Sequence, residues 1–160
     1  MLSARLLFRL LSLALVAVLA LVGVTSAAAS PPTPASGTFT VTSADFLSSR
    51  DAGGNTIIHA SYTVSYTGTL TGTSIGQGTV ILHSNGPAIS PTSEIFTGTV
   101  NGVSGTLSLH TVAVSPPDSF QNSLVILSGT GGLTDVHGVF NEVGTFGDTG
   151  PVGTYSGQIH

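Results

Sequence analysis

The sequence predicts an all-β domain of about eight antiparallel strands, arranged either as a sandwich or as a barrel. Apolar and polar residues alternate with a period of two along most of the chain, and no stretch sustains the 3.6-residue apolar period of a helix. Turn-forming residues interrupt this alternation every few positions, and 21 of the 160 residues are glycine. The chain has no cysteine, which excludes disulfides and thiolate metal ligands.

The N-terminal residues 1–29 have the pattern of a secretory signal peptide. Arg5 and Arg9 precede an apolar run, and the small residues before Ser30 fit a cleavage site. We therefore expect cleavage near Ala29 and an extracellular product. An uncleaved membrane anchor is the alternative, although the apolar run is short for a membrane span of about 20 residues.

The mature chain is predicted to consist of a leader and one domain. Residues 30–36 contain three prolines and are expected to form an extended leader outside the fold. Residues 37–160 form the single domain. Its predicted strands are 38–46, 57–69, 73–84, 93–100, 103–114, 123–128, 139–146 and 153–159. The turns between them are expected at 51–55, 85–87, 115–118, 131–138 and 147–151.

The mature chain has very few basic residues. After residue 29, Arg50 is the only strong base against seven acidic side chains, a formal net charge of −6. Such a chain cannot form the basic patch that nucleic acids require, and it has little attraction for anionic lipid. We therefore expect no nucleic-acid partner and no stable membrane association after cleavage. The oligomeric state is left open, and a homo-oligomer is compatible with the sequence.

One hairpin can be placed in register with a strong local signal. Asn101-Gly102 is typical of a two-residue type I′ turn. This turn places Phe96 opposite Leu107 and Glu94 opposite Leu109. Hydroxyl residues then face one another on the other side of the hairpin, which supports the register.

A second hairpin depends on a weaker signal. A three-residue loop at 70–72, with its glycine in the left-handed region, would place Tyr62 opposite Val80 and His59 opposite His83. The tyrosines of this hairpin would then face inward. The two histidines would lie together on its hydroxyl-rich outer face.

The candidate site residues share the inward face of these two hairpins. Glu94 lies on the same face as Phe96 and Leu109, and a carboxylate on an apolar face is costly unless it is hydrogen-bonded, paired or protonated. Glu94 is therefore the candidate catalytic residue. The alternative is that Glu94 lies at the mouth of the barrel and is simply exposed to water. Tyr62 and Tyr66 could contact a ligand through their hydroxyl groups, or be core residues with satisfied hydroxyls. The predicted ligand-binding residues are Tyr62, Tyr66, Glu94, Phe96 and Leu109.

Two further carboxylates are considered as second acidic groups. Asp45 has the strand parity of Phe39 and would face inward with it. Glu142 has the parity of Phe140, which favours an inward position. Val139 has the opposite parity and favours an outward one, so the sequence leaves the facing of Glu142 open.

No metal site and no cofactor are predicted. The chain has no phosphate-binding loop, no zinc-protease motif and no calcium-binding loop. The five histidines are too far apart in sequence for a local metal motif. Solvated histidines are favoured over a structural or adventitious metal, even for the predicted pair His59 and His83.

Three segments resemble a bacterial family of unknown function that is grouped with the allene oxide cyclase barrel. They are residues 94–110, Gly129-Thr130-Gly131-Gly132-Leu133 and Gly153-Thr154-Tyr155-Ser156-Gly157. The resemblance implies an eight-stranded antiparallel barrel of the allene oxide cyclase type, with a central cavity. The wider superfamily includes plant cyclases and dirigent proteins, which steer reactive intermediates without metal or cofactor. Two departures are Val103, where members often carry a basic residue, and the absence of a cysteine like that in the cavity of plant cyclases.

Three functions are compatible with these observations. The first is a secreted barrel that binds a small apolar molecule in its lumen. The second is a cofactor-free isomerase or cyclase that uses Glu94 and the tyrosines as acid, base and positioning groups. The third is a structural or surface-adhesion module with a filled core. A cavity of several hundred Å³ would favour the first two.

Overall fold

Every regular element of the described chain is a β-strand, which confirms the all-β prediction. The computed structural model describes residues 31–148 and 150–160. The eight strands are β1 (Thr33–Ala52), β2 (Asn55–Gly68), β3 (Leu70–Leu82), β4 (Ala88–Val100), β5 (Val103–Ser115), β6 (Ser119–Gly131), β7 (Gly138–Gly147) and β8 (Gly150–Ile159). Each contains one of the eight predicted strands or most of it. Within the described ranges, no helix is long and apolar enough to cross a membrane.

The eight strands close into a ring. Each strand pairs antiparallel with the next one in sequence, and β8 pairs antiparallel with β1 from Thr33↔Ile159 to Thr40↔Val152. Of the two predicted architectures, this is the barrel. Closure joins the two edge strands that an open sheet would leave unpaired.

The domain begins earlier than predicted. Residues 33–36, predicted as part of the leader, belong to β1 and pair with the end of β8, and Ala35 is buried in the core. Pro34 fits this strand because pairing with β2 starts only at Gly37, so one side of β1 needs no amide hydrogen there. The predicted signal peptide, residues 1–29, lies outside the described residues.

The register predicted around Asn101-Gly102 is confirmed. Phe96 pairs with Leu107 and Glu94 pairs with Leu109. Both turn residues have positive φ, 50° and 82°, as a type I′ turn requires.

The register predicted for the β2–β3 hairpin is wrong. Tyr62 pairs with Gly76 and not with Val80, because the chain reverses at Thr69, next to Gly68 with its φ of 101°. The Thr69 amide donates a hydrogen bond to the carbonyl of Ser36 at 2.9 Å, so a contact with β1 fixes this turn. The slip is an even number of residues, so the tyrosines keep the inward position that was predicted.

Large side chains fill one end of the lumen. This closed end lies at the β2–β3, β4–β5 and β6–β7 connections, where Leu70, Leu107 and Leu133 are at most 1% exposed. Leu133 lies in the β6–β7 connection, and its side chain packs against the buried core of the barrel. The Tyr155 hydroxyl accepts a hydrogen bond from the Leu70 amide at 2.8 Å and donates one to the Thr67 carbonyl at 3.1 Å.

Aromatic rings of the lumen lie over glycines of the neighbouring strand. A Cβ atom at Gly153 would stand 2.9 Å from the ring of Phe39, closer than packed atoms allow. These cross-strand pairs join Phe39 with Gly153, Phe120 with Gly144, Phe140 with Gly157 and Tyr155 with Gly37. Inward-facing glycines therefore provide the space that the aromatic core occupies, which accounts for part of the high glycine content.

Candidate functional site

The other end of the lumen holds a cavity of about 380 Å³. It reaches the open end of the barrel, where Leu82, Ala88, Ser115 and Pro151 lie beside the β3–β4, β5–β6 and β7–β8 turns. Most of its wall is apolar. The apolar lining includes Phe39, Val41, Val64, Val80, Ala113 and Phe120.

Glu94 contributes one of the two carboxylates in this cavity. It lies on β4 and is only 7% exposed. The Ser74 hydroxyl donates a hydrogen bond to Glu94 Oε2 at 2.6 Å, and the Thr111 hydroxyl donates one to Oε1 at 3.0 Å. Gly76 lies opposite Glu94 on β3, where a Cβ atom would stand 2.6 Å from Glu94 Cγ. Neighbouring strands on both sides therefore hold this carboxylate.

Glu142 contributes the second carboxylate, and the structure resolves its facing. It lies on β7, lines the cavity and is 2% exposed. Burial away from water raises the pKa of this carboxyl from 4.5 to about 7, and the nearby negative charge of Glu94 adds to the rise. Hydrogen bonds from Asn122 and Tyr66 act in the opposite direction. Glu142 is therefore poised to change protonation near neutral pH.

Tyr66 contacts Glu142 in the cavity wall. Its hydroxyl donates a long hydrogen bond of 3.4 Å to Glu142 Oε1. Burial raises the pKa of Tyr66 well above its ordinary value of 10.0, and the charges of Glu142 and Glu94 raise it further. Tyr62 lines the cavity nearer the open end. Burial also raises the pKa of Tyr62, and a hydrogen bond with Ser90 partly opposes this.

Asn122 holds Glu142 and leaves one of its own atoms without a partner. Its Nδ2 donates a hydrogen bond to Glu142 Oε2 at 2.8 Å. Its Oδ1 is buried and accepts no hydrogen bond from any described residue. Asn122 also lines the cavity, although its Oδ1 atom itself is buried. A buried polar atom without a partner costs about 1–3 kcal/mol, which makes it a marker for a missing donor.

The five predicted ligand-binding residues divide into two groups. Tyr62, Tyr66 and Glu94 line the cavity. Phe96 and Leu109 also face the lumen, but they are fully buried in the packed core and do not line the cavity. The sequence could not separate the groups, because both have the same alternation and only their height along the barrel differs.

Sequence reasoning misplaced Asp45, left the facing of Glu142 open and missed Asn122. Asp45 is exposed and pairs with Ser61, because a bulge between Val41 and Ser43 reverses the alternation before it is reached. Glu142 and Asn122 lie opposite each other on β7 and β6. Asn122 gave no sequence signal, since a polar residue in a polar-rich strand is ordinary.

A family comparison covers most of the described barrel. The family DUF3224, described as a protein of unknown function, matches residues 35–148. The chain belongs to the DUF3224 family. The expectation of a family of unknown function is confirmed.

A solved structure shares the fold of this DUF3224 protein. It is the crystal structure, at 1.84 Å resolution, of a DUF3224 protein with unknown function from Shewanella oneidensis MR-1. The TM-score is 0.62 at 18% sequence identity, and the match covers 81% of this chain and 97% of that one. At this identity the likeness concerns the fold alone. Among curated proteins, none matches the chain by sequence.

The histidines of this DUF3224 barrel do not form the predicted pair. His59 lies opposite Thr79, and its Nδ1 is 3.1 Å from the Thr79 hydroxyl. His83 Nδ1 instead lies 3.2 Å from Asn55 Oδ1. The shifted β2–β3 register separates the two histidines. In the part of the chain that the structure describes, no three His, Asp or Glu side chains are grouped to hold a metal ion.

Proposed function

We propose that this DUF3224 protein binds a small, predominantly apolar molecule inside its barrel. This proposal is based on the cavity of about 380 Å³, whose wall is mostly apolar and which opens at one end of the lumen. Ligand pockets have volumes of roughly 300–1,000 Å³ and combine an apolar wall with a few polar groups that orient the ligand. The cavity matches this description, with Glu94, Glu142 and Tyr66 as the polar groups.

A structural or adhesion module is the less favoured function. Such a module gains stability from a filled interior, and the closed end of this barrel has one. At the open end the side chains stop short of filling the lumen. A cavity of this size is not needed for adhesion and lowers packing energy.

A cofactor-free isomerase or cyclase is the second candidate, and one observation favours it. The pKa of Glu142 is raised to about 7, where a carboxyl can both take and give a proton at neutral pH. In this version Glu142, and not only Glu94, would be the acid or base, and Tyr66 would position it. The relation to the allene oxide cyclase barrel stays a prediction that belongs to this candidate.

The binding proposal is tested with an uncharged apolar fluorophore. N-phenyl-1-naphthylamine is small enough for the cavity and becomes brighter in an apolar environment. We expect saturable binding of one molecule per chain. Ala113→Phe should abolish this binding because Ala113 lines the cavity, whereas Val112→Phe should not, because its side chain is on the outer face of the same strand.

Two outcomes would contradict the binding proposal. One is the absence of saturable binding to the folded wild type. The other is equal binding by Ala113→Phe and Val112→Phe, which would place the fluorophore outside the lumen. Thermal melts of both variants verify that each remains folded.

Secretion is proposed separately, since residues 1–29 lie outside the described residues. Intact-mass measurement of the protein from culture supernatant should find a chain that begins near Ser30. A full-length product retained in the membrane would contradict this expectation.

A further inference from the structure

The charged side chains that line the cavity are all acidic. They are Glu94 and Glu142. The described residues include five histidines and one strong base, Arg50, and none of these six lines the cavity. A ligand inside the lumen therefore meets negative charge or protonated carboxyl groups, with no cationic side chain beside them.

The polar atoms of the cavity offer more acceptors than donors. Asn122 Oδ1 is buried with no donor among the described residues. Glu142 Oε1 receives only the long hydrogen bond of 3.4 Å from Tyr66. An ionised carboxylate provides about four acceptor positions and no donor. Asn122 and Tyr66 thus occupy only part of the acceptor capacity of Glu142, and a ligand in the cavity can supply further hydrogen-bond donors.

We propose that the ligand combines an apolar body with a protonated amine, and that the ammonium lies against Glu142. This inference rests on the proposed binding function and specifies its ligand class. An ammonium group supplies up to three donors and a positive charge, and charge-assisted hydrogen bonds are about twice as strong as neutral ones. A neutral hydroxyl supplies one donor, and a carboxylate ligand supplies none and is repelled by both glutamates.

The apolar wall fits the rest of such a ligand. Valine, alanine and phenylalanine side chains surround the carboxylates, so a bare metal ion would lose its water without gaining enough oxygen ligands. The described residues contain no cluster of three metal-ligating side chains. In a ligand with one ammonium group on an apolar skeleton, the ammonium can pair with the carboxylates and the skeleton can pack against the apolar wall.

The proposal has a defined pH dependence. Ammonium binds better to ionised than to protonated Glu142, and burial raises the pKa of Glu142 to about 7. Affinity should therefore rise between pH 5 and pH 8 and then level off. The titratable groups that face Glu142 are Tyr66 on β2, Glu94 on β4 and Tyr155 on β8. Both tyrosines have raised pKa values and stay neutral in this range.

The test uses three ligands with the same apolar skeleton. They are 1-naphthylmethylamine, 1-naphthalenemethanol and 1-naphthoic acid, which carry an ammonium, a hydroxyl and a carboxylate at pH 7.5. Competition against N-phenyl-1-naphthylamine measures the three affinities. We expect the amine to bind about tenfold or more tighter than the alcohol, equivalent to about 1.4 kcal/mol, and the acid to bind weakest.

Two variants locate the source of this preference. Glu142→Gln should remove most of the amine's advantage and leave the affinity of the alcohol unchanged. Asp135→Asn, an exposed position in the β6–β7 connection at the closed end, changes the net charge equally and should keep the preference. If Glu142→Gln does not fold, the pH profiles of the amine and the alcohol on the wild type still test the proposal, since the amine should gain more affinity than the alcohol as Glu142 ionises.

The outcomes separate the two proposals. If the fluorophore and all three compounds fail to bind, the proposed binding function is wrong. If the alcohol or the acid binds as tightly as the amine, the binding function stands and the amine proposal is overturned. An amine affinity that is independent of pH between 5 and 8 would also overturn it.

Discussion

The two ends of the barrel are built from the same strands but packed in different ways. At the closed end, Leu107 and Leu133 are at most 1% exposed, and the rings of Phe140 and Tyr155 fill the space above Gly157 and Gly37. At the open end, Leu82 is 41% exposed and small side chains such as Ala113 leave a cavity. Dense packing at one end stabilises the ring of strands. This leaves the other end free to hold two buried carboxylates, of which Glu142 has a raised pKa and costs stability when it is ionised.

The largest expected effect is on the free energy of unfolding, when a leucine is replaced by alanine at each of the two ends. Leu107→Ala should lower the free energy of unfolding by about 2–5 kcal/mol, because a fully buried leucine leaves a cavity in tight packing. Leu82→Ala should lower it by at most about 1 kcal/mol, because its side chain is partly exposed beside an existing cavity. Urea denaturation measures both. Equal losses would mean that the two ends do not differ in packing as described.

The second effect concerns the cost of the buried carboxyl Glu142. Its pKa is raised from 4.5 to about 7 in the folded protein, so ionisation disfavours the folded state. The free energy of unfolding should fall as pH rises from about 4.5 to about 7 and then level off, with a total on the order of 3 kcal/mol from this group. Glu142→Gln should remove this fall and be more stable than the wild type above pH 7.

Urea melts between pH 4 and pH 8.5 measure the Glu142 effect. Asp135→Asn is the control, since Asp135 is exposed at the closed end and its replacement should preserve the wild-type difference between pH 4.5 and pH 7. A pH profile that is the same in Glu142→Gln and in the wild type would contradict the assignment.

The smallest effect concerns the hydroxyl of Tyr66. Tyr66→Phe removes the hydrogen bond of 3.4 Å that favours ionised Glu142. The pH midpoint of Glu142 should therefore move upward, and stability at neutral pH should fall by no more than about 1.5 kcal/mol. NMR titration of the Glu142 carboxyl carbon measures the midpoint. Tyr62→Phe is the control, because the Tyr62 hydroxyl pairs with Ser90 and not with Glu142. A downward shift of the Glu142 midpoint in Tyr66→Phe, or the same shift in both variants, would refute the contact between Tyr66 and Glu142.

Sequence reasoning succeeded where the determining interactions are local. The turn Asn101-Gly102 fixes its own geometry, so the pairing of Glu94 with Leu109 was predicted correctly. The register predicted for the β2–β3 hairpin was wrong because two glycines, Gly68 and Gly72, are both compatible with a turn. The contact of Thr69 with β1 selects between them, and this contact is remote in sequence.

The facing of side chains was predictable only in strands with one clear apolar face. Glu142 was ambiguous because Val139 and Phe140 are both apolar, yet Val139 is 55% exposed on the outside and Phe140 is 1% exposed inside. Asp45 was misplaced because a bulge after Val41 shifts the alternation, and no residue pattern marks that bulge. An apolar residue on the outer surface of β7 and a bulge in β1 therefore made the inner face ambiguous in the sequence.

The sequence by itself determined the strand content and the lumen-facing position of Glu94 and the tyrosines, because period-two alternation and turn residues act over a few positions. Only the tertiary structure decided that the ring closes, that its two ends pack differently and that Glu142 joins Glu94 in one cavity. Those features depend on residues brought together from β2, β4, β6 and β7. Burial, charge proximity and unpaired acceptors arise only when these strands surround a common space, which is why the acidic centre of the lumen could not be predicted from the sequence.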